Sequence, residues 1–372
     1  MKHRKLGYRL ALLFVVFSLA LTGCGPATDP TPAPSQTQAD TANTTDATKE
    51  NNNVTTEPQY KNMWKYSTDA EGVIVRDVTV KTQKGGDPLT VIQLSDIHFN
   101  FINDQDRQEN HELTVGSYND LKFQRDGKQL NNLSRCLTYA EGADQLIVTG
   151  DVISYLSHGN LQAVHTYIWD KYPDALITLG NHDVIRSWNG AADESATKSE
   201  RYAIVEQYWK HDLFYSSKVL DERVMLIQMD NASSNVSWGE FLESQIEPLR
   251  ADLALAREKG YTVLLFYHIP LSTGKAQDYR TDALRVGDKN TATVNFYTNG
   301  IGNLSTGASK TIYDLIVNNA DIIAGAFCGH KHSDFYTEIK AKNADGTEAV
   351  IPQYVLMGLF YEKGHVLRIT IE

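Results

Sequence analysis

Asp96, His98, Asp151, Asn181, His182, His268, His330 and His332 are the residues whose types and spacing could do chemistry. Each lies at or just past the end of an apolar run of strand length. Val91 to Ser95 runs into Asp96, with His98 two residues on. Leu146 to Gly150 runs into Asp151, and Ala175 to Leu179 into Gly180-Asn181-His182-Asp183. Val263 to Tyr267 runs into His268, and Ile322 to Phe327 into Gly329-His330-Lys331-His332. In open α/β sheets, ligands bind beyond the carboxyl ends of the strands. Carboxylate and amide oxygens together with imidazole nitrogens suit divalent metals such as manganese, iron or zinc. With no cysteine among them, the set is not a structural zinc knot. Seven donors, all of the above except His182, exceed the needs of one tetrahedral ion. Two ions sharing a bridging carboxylate would use them all. Such a pair, about 3.5–4 Å apart, suits an in-line displacement at phosphorus.

The elements that must position these residues alternate. Strands are expected over 73–80 and 89–94, divided by the turn Lys84-Gly85-Gly86-Asp87-Pro88. A helix near 129–141 leads to a strand at 144–149, and helical spacing over 161–172 leads to the strand at 175–179. A further helix falls at 201–209 and strands at 224–229 and 262–267, and the tail from Phe335 reads as three strands. Buried strands alternating with helices predict an α/β sheet of crossover units. Residues 100–128 and 184–200 read as polar loops beside the candidate ligands. Ser237 with Glu240 forms a possible capping box for a helix carrying Leu242, Ile246, Leu249 and Leu253, which Pro248 should kink or split. Leu271 to Gly307 is a long polar stretch. Loops of that length are usually functional or disordered, and with the other two loops it is expected to build a substrate pocket.

The first sixty residues differ in kind. Lys2, Arg4, Lys5 and Arg9 precede an apolar stretch from Leu10 to Leu21, which reads as a secretory signal over 1–23 rather than a membrane span. It ends Leu21-Thr22-Gly23-Cys24, which resembles the lipobox of bacterial lipoproteins and implies a lipid on Cys24. Residues 24–59 hold almost no large apolar side chains and are expected to be a disordered tether, reaching on the order of 30 Å. The globular domain is then 60–372, held outside the cytoplasm at a membrane surface. Removing residues 1–23 takes away four cationic side chains and no acidic one, moving the formal charge from −11 to −15. So acidic a body does not suit nucleic acid as a partner. Beyond Cys24 the only cysteines are Cys136 and Cys328, on apolar faces, where free buried thiols are expected.

Asp96-Ile97-His98, Gly150-Asp151, Gly180-Asn181-His182-Asp183, His268 and Gly329-His330-Lys331-His332 resemble, in order, type and spacing, the motifs of the calcineurin-like metallophosphoesterases. The resemblance implies a four-layer αββα sandwich with the metals at the strand ends. It implies a first ion on Asp96, His98, Asp151 and His332, and a second on Asp151, Asn181, His268 and His330. His182, left without a metal, would protonate the leaving group, and a metal-bridging hydroxide would attack phosphorus. Asn181 would also help hold a phosphate oxygen. The substrate would be a small phosphoester, monoester, diester or pyrophosphate, and the tether points to the cell envelope as its source. Where the protein phosphatases of the family carry Asp and Arg after the bridging Asp, this chain has Ser154 and Tyr155. That departure argues against protein phosphatase activity and leaves the orienter of His182 open, with Asp183 one candidate. Tyr155 also stands one position beyond the ligating Tyr of purple acid phosphatases. His111, His158, His165, His211 and His365 have no partner motif, and Lys331 is expected to point away from the site. The rival reading is a solute-binding or inactive surface lipoprotein on the same fold.

Protein isolated from a bacterial host is expected to begin at a lipid-modified Cys24 and to partition with membranes into detergent. Cys24→Ala should leave the membrane fraction. A mature N-terminus elsewhere, read by mass spectrometry, would refute the anchor.

Overall fold

Period-2 alternation is hard to see in the central strands because both of their faces are buried. On β2 (Leu89–Leu94), Ile92 and Leu94 pack outward under helices while Val91 faces the opposite sheet. On β3 (Gln145–Thr149), Leu146 and Val148 do the same, with Ile147 turned inward. The computed structural model describes residues 72–122, 127–232, 240–271, 307–332, 334–360 and 363–372. All belong to the unit Thr55–Glu372. The expected signal, Cys24 and the tether therefore lie outside the described residues, as do 272–306 of the long polar stretch. No helix among the described residues is long and apolar enough to cross a membrane.

Two sheets form the body. The remaining strands are β1 (Ile74–Val80), β4 (Leu176–Thr178), β5 (Tyr215–Leu220), β6 (Val224–Met229), β7 (Thr262–Phe266), β8 (Ile323–Cys328), β9 (Phe335–Lys342), β10 (Glu348–Val355) and β11 (His365–Ile371). The first sheet has the order β1-β11-β2-β3-β4 and the second β5-β6-β7-β8-β10-β9. β2, β3 and β4 run parallel, as do β6, β7, β8 and β10. β11 is antiparallel to β2, and the edge strands β5 and β9 are antiparallel to β6 and β10. An apolar layer that includes Val91, Ile147, Leu226, Leu264, Phe266, Phe327 and Ile369 fills the space between the sheets.

Helices cover both outer faces. α1 (Asp104–Glu109), α2 (Glu112–Asp120), α3 (Lys128–Thr138), α4 (His158–Val164) and α5 (Lys198–Glu206) precede β5, and α4 continues into a π-turn over His165–Trp169. α6 (Ile246–Lys259) and α7 (Gly307–Val317) pack on the second sheet. Leu130, Leu133, Leu161 and Val205 belong to the outer core of the first sheet, and Leu249, Leu253, Ile312 and Ile316 to that of the second. Helix, sheet, sheet, helix is the four-layer order the sequence implied.

Two local expectations fail, and one strand goes unread in the sequence, for identifiable reasons. Residues 100–128 contain two helices rather than a plain loop. α1 is nucleated by a capping box in which Asn103 Oδ1 accepts from Asp106 N at 3.0 Å and Asp106 returns the bond at 2.9 Å. With six and nine residues, α1 and α2 are too short for a periodic pattern to show. Pro248 does not kink its helix, because α6 begins only two residues earlier and Pro is tolerated in a first turn. Ser237 lies outside the described residues, and the side chain seen at that entry is Gln245, whose Oε1 accepts from Leu242 N at 2.6 Å. β5 is half-exposed and polar (Tyr-Ser-Ser-Lys-Val-Leu), so its sequence carries little strand signal.

Candidate metal centre

β4 is only three residues long and lies at an edge, yet it presents Gly180 to Asp183. Side chains replace the missing neighbour strand: Ile177 N donates to His211 Nε2 at 3.1 Å, and Ile177 O accepts from Gln228 Nε2 at 2.6 Å and Trp209 Nε1 at 3.3 Å. Covering an edge in this way also closes it to other strands. β2 and β3 deliver Asp96 and Asp151 from the centre of the first sheet, while β7 and β8 deliver His268 and His330 from the second. Gln93 joins the sheets below, donating from Nε2 to Thr149 Oγ1 (2.8 Å) and Cys328 O (3.0 Å).

All these strand ends converge. Asp96, His98, Asp151 and His332 each offer a ligand atom within 4.8 Å of the others, and so do Asp151, His268 and His330. Asp151 belongs to both groups. His332 Nε2 is 3.1 Å from Asp96 Oδ1 and 3.2 Å from His98 Nε2. His268 Nε2 is 3.1 Å from Asp151 Oδ2 and 3.2 Å from His330 Nδ1. Nitrogens crowded on one another and on carboxylates are arranged for a cation rather than for hydrogen bonding among themselves. Asn181 is 3% exposed, and its Oδ1 is a buried acceptor with no hydrogen-bond partner among the described residues. A buried oxygen without a donor is costly, and a metal ion would satisfy it. The donor set therefore fits the two-ion assignment that the resemblance implies.

The backbone is bent to make this possible. Asp96, His98, Asp151, His330 and His332 have φ of +50°, +55°, +48°, +70° and +48°. These are five of the eight non-glycine residues with positive φ among those described, and such strain gathers at functional sites. Two glycines permit the close approach. A β-carbon on Gly180 would collide with Asp151 N and its carboxylate, and one on Gly329 with Ser95 Oγ and Asp96 Oδ2.

Burial and mutual charge set the protonation of the ligands. Burial drives His98 down to about 3, against the pull of the Asp151 carboxylate, and holds His330 well below the ordinary imidazole range. Both are then neutral, which is the metal-binding form. Burial would also lower His268, but the Asp151 and Asp96 carboxylates and the bond to Thr149 together outweigh it and lift it to about 9. Its Nδ1–H donates to Thr149 O at 2.7 Å, so Nε2 is the nitrogen turned to Asp151.

His182 joins neither group. Its backbone N–H donates to Asp151 Oδ1 at 2.8 Å, and its ring meets that of His98 edge to face at 5.1 Å. The open question of its orienter is answered by the backbone: Nδ1–H donates to Ser154 O at 2.9 Å. Asp183 has another task. It accepts from Ile153 N (2.9 Å) and Gly180 N (2.6 Å), stapling the ends of β3 and β4 together. Burial and the Asp151 carboxylate push it up to about 8 despite those two donors. Tyr155 donates to Asn100 Oδ1 at 2.7 Å, and Lys331 is buried at 5% exposure.

The sequence reading passed over Asn231, just beyond β6. It donates to Ile269 O (2.6 Å) and accepts from Ile269 N (2.9 Å), clamping the residue after His268. The signal was one more strand ending in polar residues, Asp230-Asn231. The remaining histidines are scaffold: His158 meets Tyr208 and Glu109, His165 the Tyr208 carbonyl, His365 meets Asp334, and His111 meets Ser195. Cys136 and Cys328 are buried free thiols.

A family model for calcineurin-like phosphoesterases matches residues 89–334, the span that contains every residue of both donor groups. The chain belongs to the calcineurin-like phosphoesterase family. Among solved structures it is similar to a dimetal phosphatase from Danio rerio at 13% identity and a TM-score of 0.34, over 74% of this chain and 89% of that one. A Staphylococcus aureus protein described as a 5′-nucleotidase, in complex with alpha-ketoglutarate, matches at 11% identity and a TM-score of 0.30. That match covers 72% of this chain and 54% of the other, so this chain spans about half its length. No curated protein sequence matches the chain. As a calcineurin-like phosphoesterase it is a metal-dependent hydrolase of phosphoesters, and the clustered Asp and His residues are its candidate site for divalent metals.

Two substitutions separate the carboxylate from the space around it. Asp151→Asn should reduce bound manganese or zinc in both groups at once, read as metal per chain after dialysis. Gly180→Ala should lower stability by about 1–3 kcal/mol, the usual range for overpacking, read from the urea midpoint at constant slope, and should lose metal as well.

Proposed function

We propose that the chain hydrolyses small phosphoesters outside the cytoplasm with two divalent ions, tethered to the membrane through a lipid on Cys24. The observation that carries the catalytic part is the pair of donor groups meeting at Asp151 with His182 held beside them. Asp96, His98, Asp151 and His332 would hold one ion and Asp151, Asn181, His268 and His330 the other. Such ions, manganese, iron or zinc by donor type, acidify water and neutralise charge on phosphoryl oxygens.

The chain's own residues do the rest. Asp151, buried and lowered well below the ordinary carboxylate range by the histidines around it, stays ionised and anchors both groups. Asn181 has an amide with which to hold a phosphate oxygen. The bond from His182 Nδ1 to Ser154 O fixes the ring and leaves Nε2 at its opposite edge. A proton on Nε2 is then available to the leaving oxygen as general acid. Monoester, diester and pyrophosphate remain separate candidates, which a substrate panel on manganese-loaded protein distinguishes. Turnover of bis-p-nitrophenyl phosphate also separates an enzyme from a solute-binding lipoprotein.

The test of His182 turns on the leaving group. An alkoxide needs a proton to depart, and general acid help is worth roughly 10²–10⁴-fold, about 3–5 kcal/mol. A p-nitrophenolate departs without one. His182→Ala should keep its metal, lose most activity on alkyl phosphoesters and lose much less on p-nitrophenyl esters. Equal losses on both, recovered by excess metal, would make His182 a ligand instead.

A further inference from the structure

The family match ends at residue 334, yet the turn between β10 and β11 returns to the centre. It is fastened there by its backbone. Leu359 N donates to Ser95 O at 3.1 Å, and Leu359 O accepts from Asn132 Nδ2 at 3.2 Å. Gly358 lies so close that a β-carbon on it would stand 3.1 Å from Asp96 Cβ. The next residue, Phe360, places its ring against both histidines of the first donor group. Its centroid is 4.8 Å from that of His98 at 82°, and 4.9 Å from that of His332 at 81°. The two histidines meet each other at 5.2 Å and 87°. Three rings thus form a corner of nearly perpendicular planes, with the two Nε2 atoms 3.2 Å apart.

The corner matters because of how a ligating ring is held. A metal-ligating histidine ordinarily donates its other ring N–H to a carbonyl, carboxylate or water, which fixes the ring. His268 does so through Thr149 O. The side-chain contact of His98 runs through Nε2, which faces His332 Nε2. Its backbone is held, since His98 N donates to Asp151 O at 2.9 Å and Gln129 Nε2 donates to His98 O. Those bonds do not set the ring, whose terminal torsion is intrinsically broad. The Phe360 ring, set edge to face against it, packs where it can hold that torsion.

We propose that Phe360 is the positioning residue that orients His98 and His332 toward the first ion. The proposal rests on the two-ion reading above. Phe360 packs against the two histidines of the first group, so its effect should fall on metal affinity in that group only.

Cobalt(II) titration followed by absorption, with metal content after dialysis, tests this in wild type, Phe360→Tyr, Phe360→Leu and Phe360→Ala. Asp96→Asn removes a ligand of the first group alone, and so identifies which absorption step belongs to that group. Wild type should take two ions. Phe360→Ala and Phe360→Leu should weaken the first-group step by about 10–100-fold, the usual effect of removing a ligand's support, and leave the other step in place. Phe360→Tyr, which keeps the ring, should titrate like wild type. Should Phe360→Ala fail to fold, the comparison of Leu with Tyr still decides. Wild-type titration in Phe360→Leu would reduce Phe360 to space filling and overturn the proposal. A wild type that does not take two ions would overturn the two-ion reading itself, and equal weakening of both steps would show that the ring supports the fold rather than one group.

Discussion

One buried carboxylate ties the centre together. Asp151 is 1% exposed, lies 3.1 Å from His268 Nε2 and 3.8 Å from His98 Nε2, and accepts the His182 amide at 2.8 Å. An isolated carboxylate so buried would be driven to its neutral form. Here the surrounding histidines keep it charged. The first and second sheets therefore meet around a negative charge that neither could bury alone. A divalent cation suits that place, because it compensates the carboxylates in place of the proton on His268, whose ring can then supply a lone pair as those of His98 and His330 do.

Holding that charge constrains everything near it. Five ligand residues take a left-handed backbone conformation, at a cost of about 1–3 kcal/mol each. Such strain persists only where the surroundings over-determine it. The supports are visible: Asp183 joins the ends of β3 and β4, Asn231 clamps Ile269 after His268, and Ser154 Oγ donates to His98 O at 3.0 Å. Asp334 continues the pattern after His332. It accepts from Met357 N at 2.7 Å and pairs with Arg76 at 3.0 Å and His365 at 2.9 Å, linking the ligand loop to β1 and β11. A hydrogen-bonded frame of this kind pre-orients ligands before any ion arrives, which is what precise functional sites require.

How much of this can be read from the sequence depends on what kind of contact does the work. The strands that deliver ligands were legible, because Val, Ile and Leu runs buried on both faces leave a strong signal and each ends in Asp, Asn or His. β5 was not legible, since an edge strand of Tyr, Ser and Lys looks like a loop until β6 pairs with it. The capped six-residue α1 was hidden for lack of length. At the site, donor types were legible while their supports were not. Thr149 and Ser154 contribute backbone carbonyls, which every residue has, and Phe360 reaches His98 from 262 positions away in the chain. Asn231 fell between these cases, being a polar residue at a strand end that no motif singled out.

The carbonyl at Ser154 also changes how the departure from the protein phosphatases should be understood. Where those relatives place a carboxylate, this chain has a serine, and the loss looked from the sequence like a missing orienter. The fold supplies direction from the main chain, since a carbonyl can only accept, and so places the proton on Nδ1 of His182. What it does not supply is charge. A carboxylate would stabilise the imidazolium directly, whereas a carbonyl contributes only a dipole. Asp151 is tied to the same residue through the main chain, its carboxylate accepting the His182 amide. The carboxylate that anchors the metal donors therefore also fixes the backbone of His182, so the ligands and the candidate acid are positioned through a single side chain.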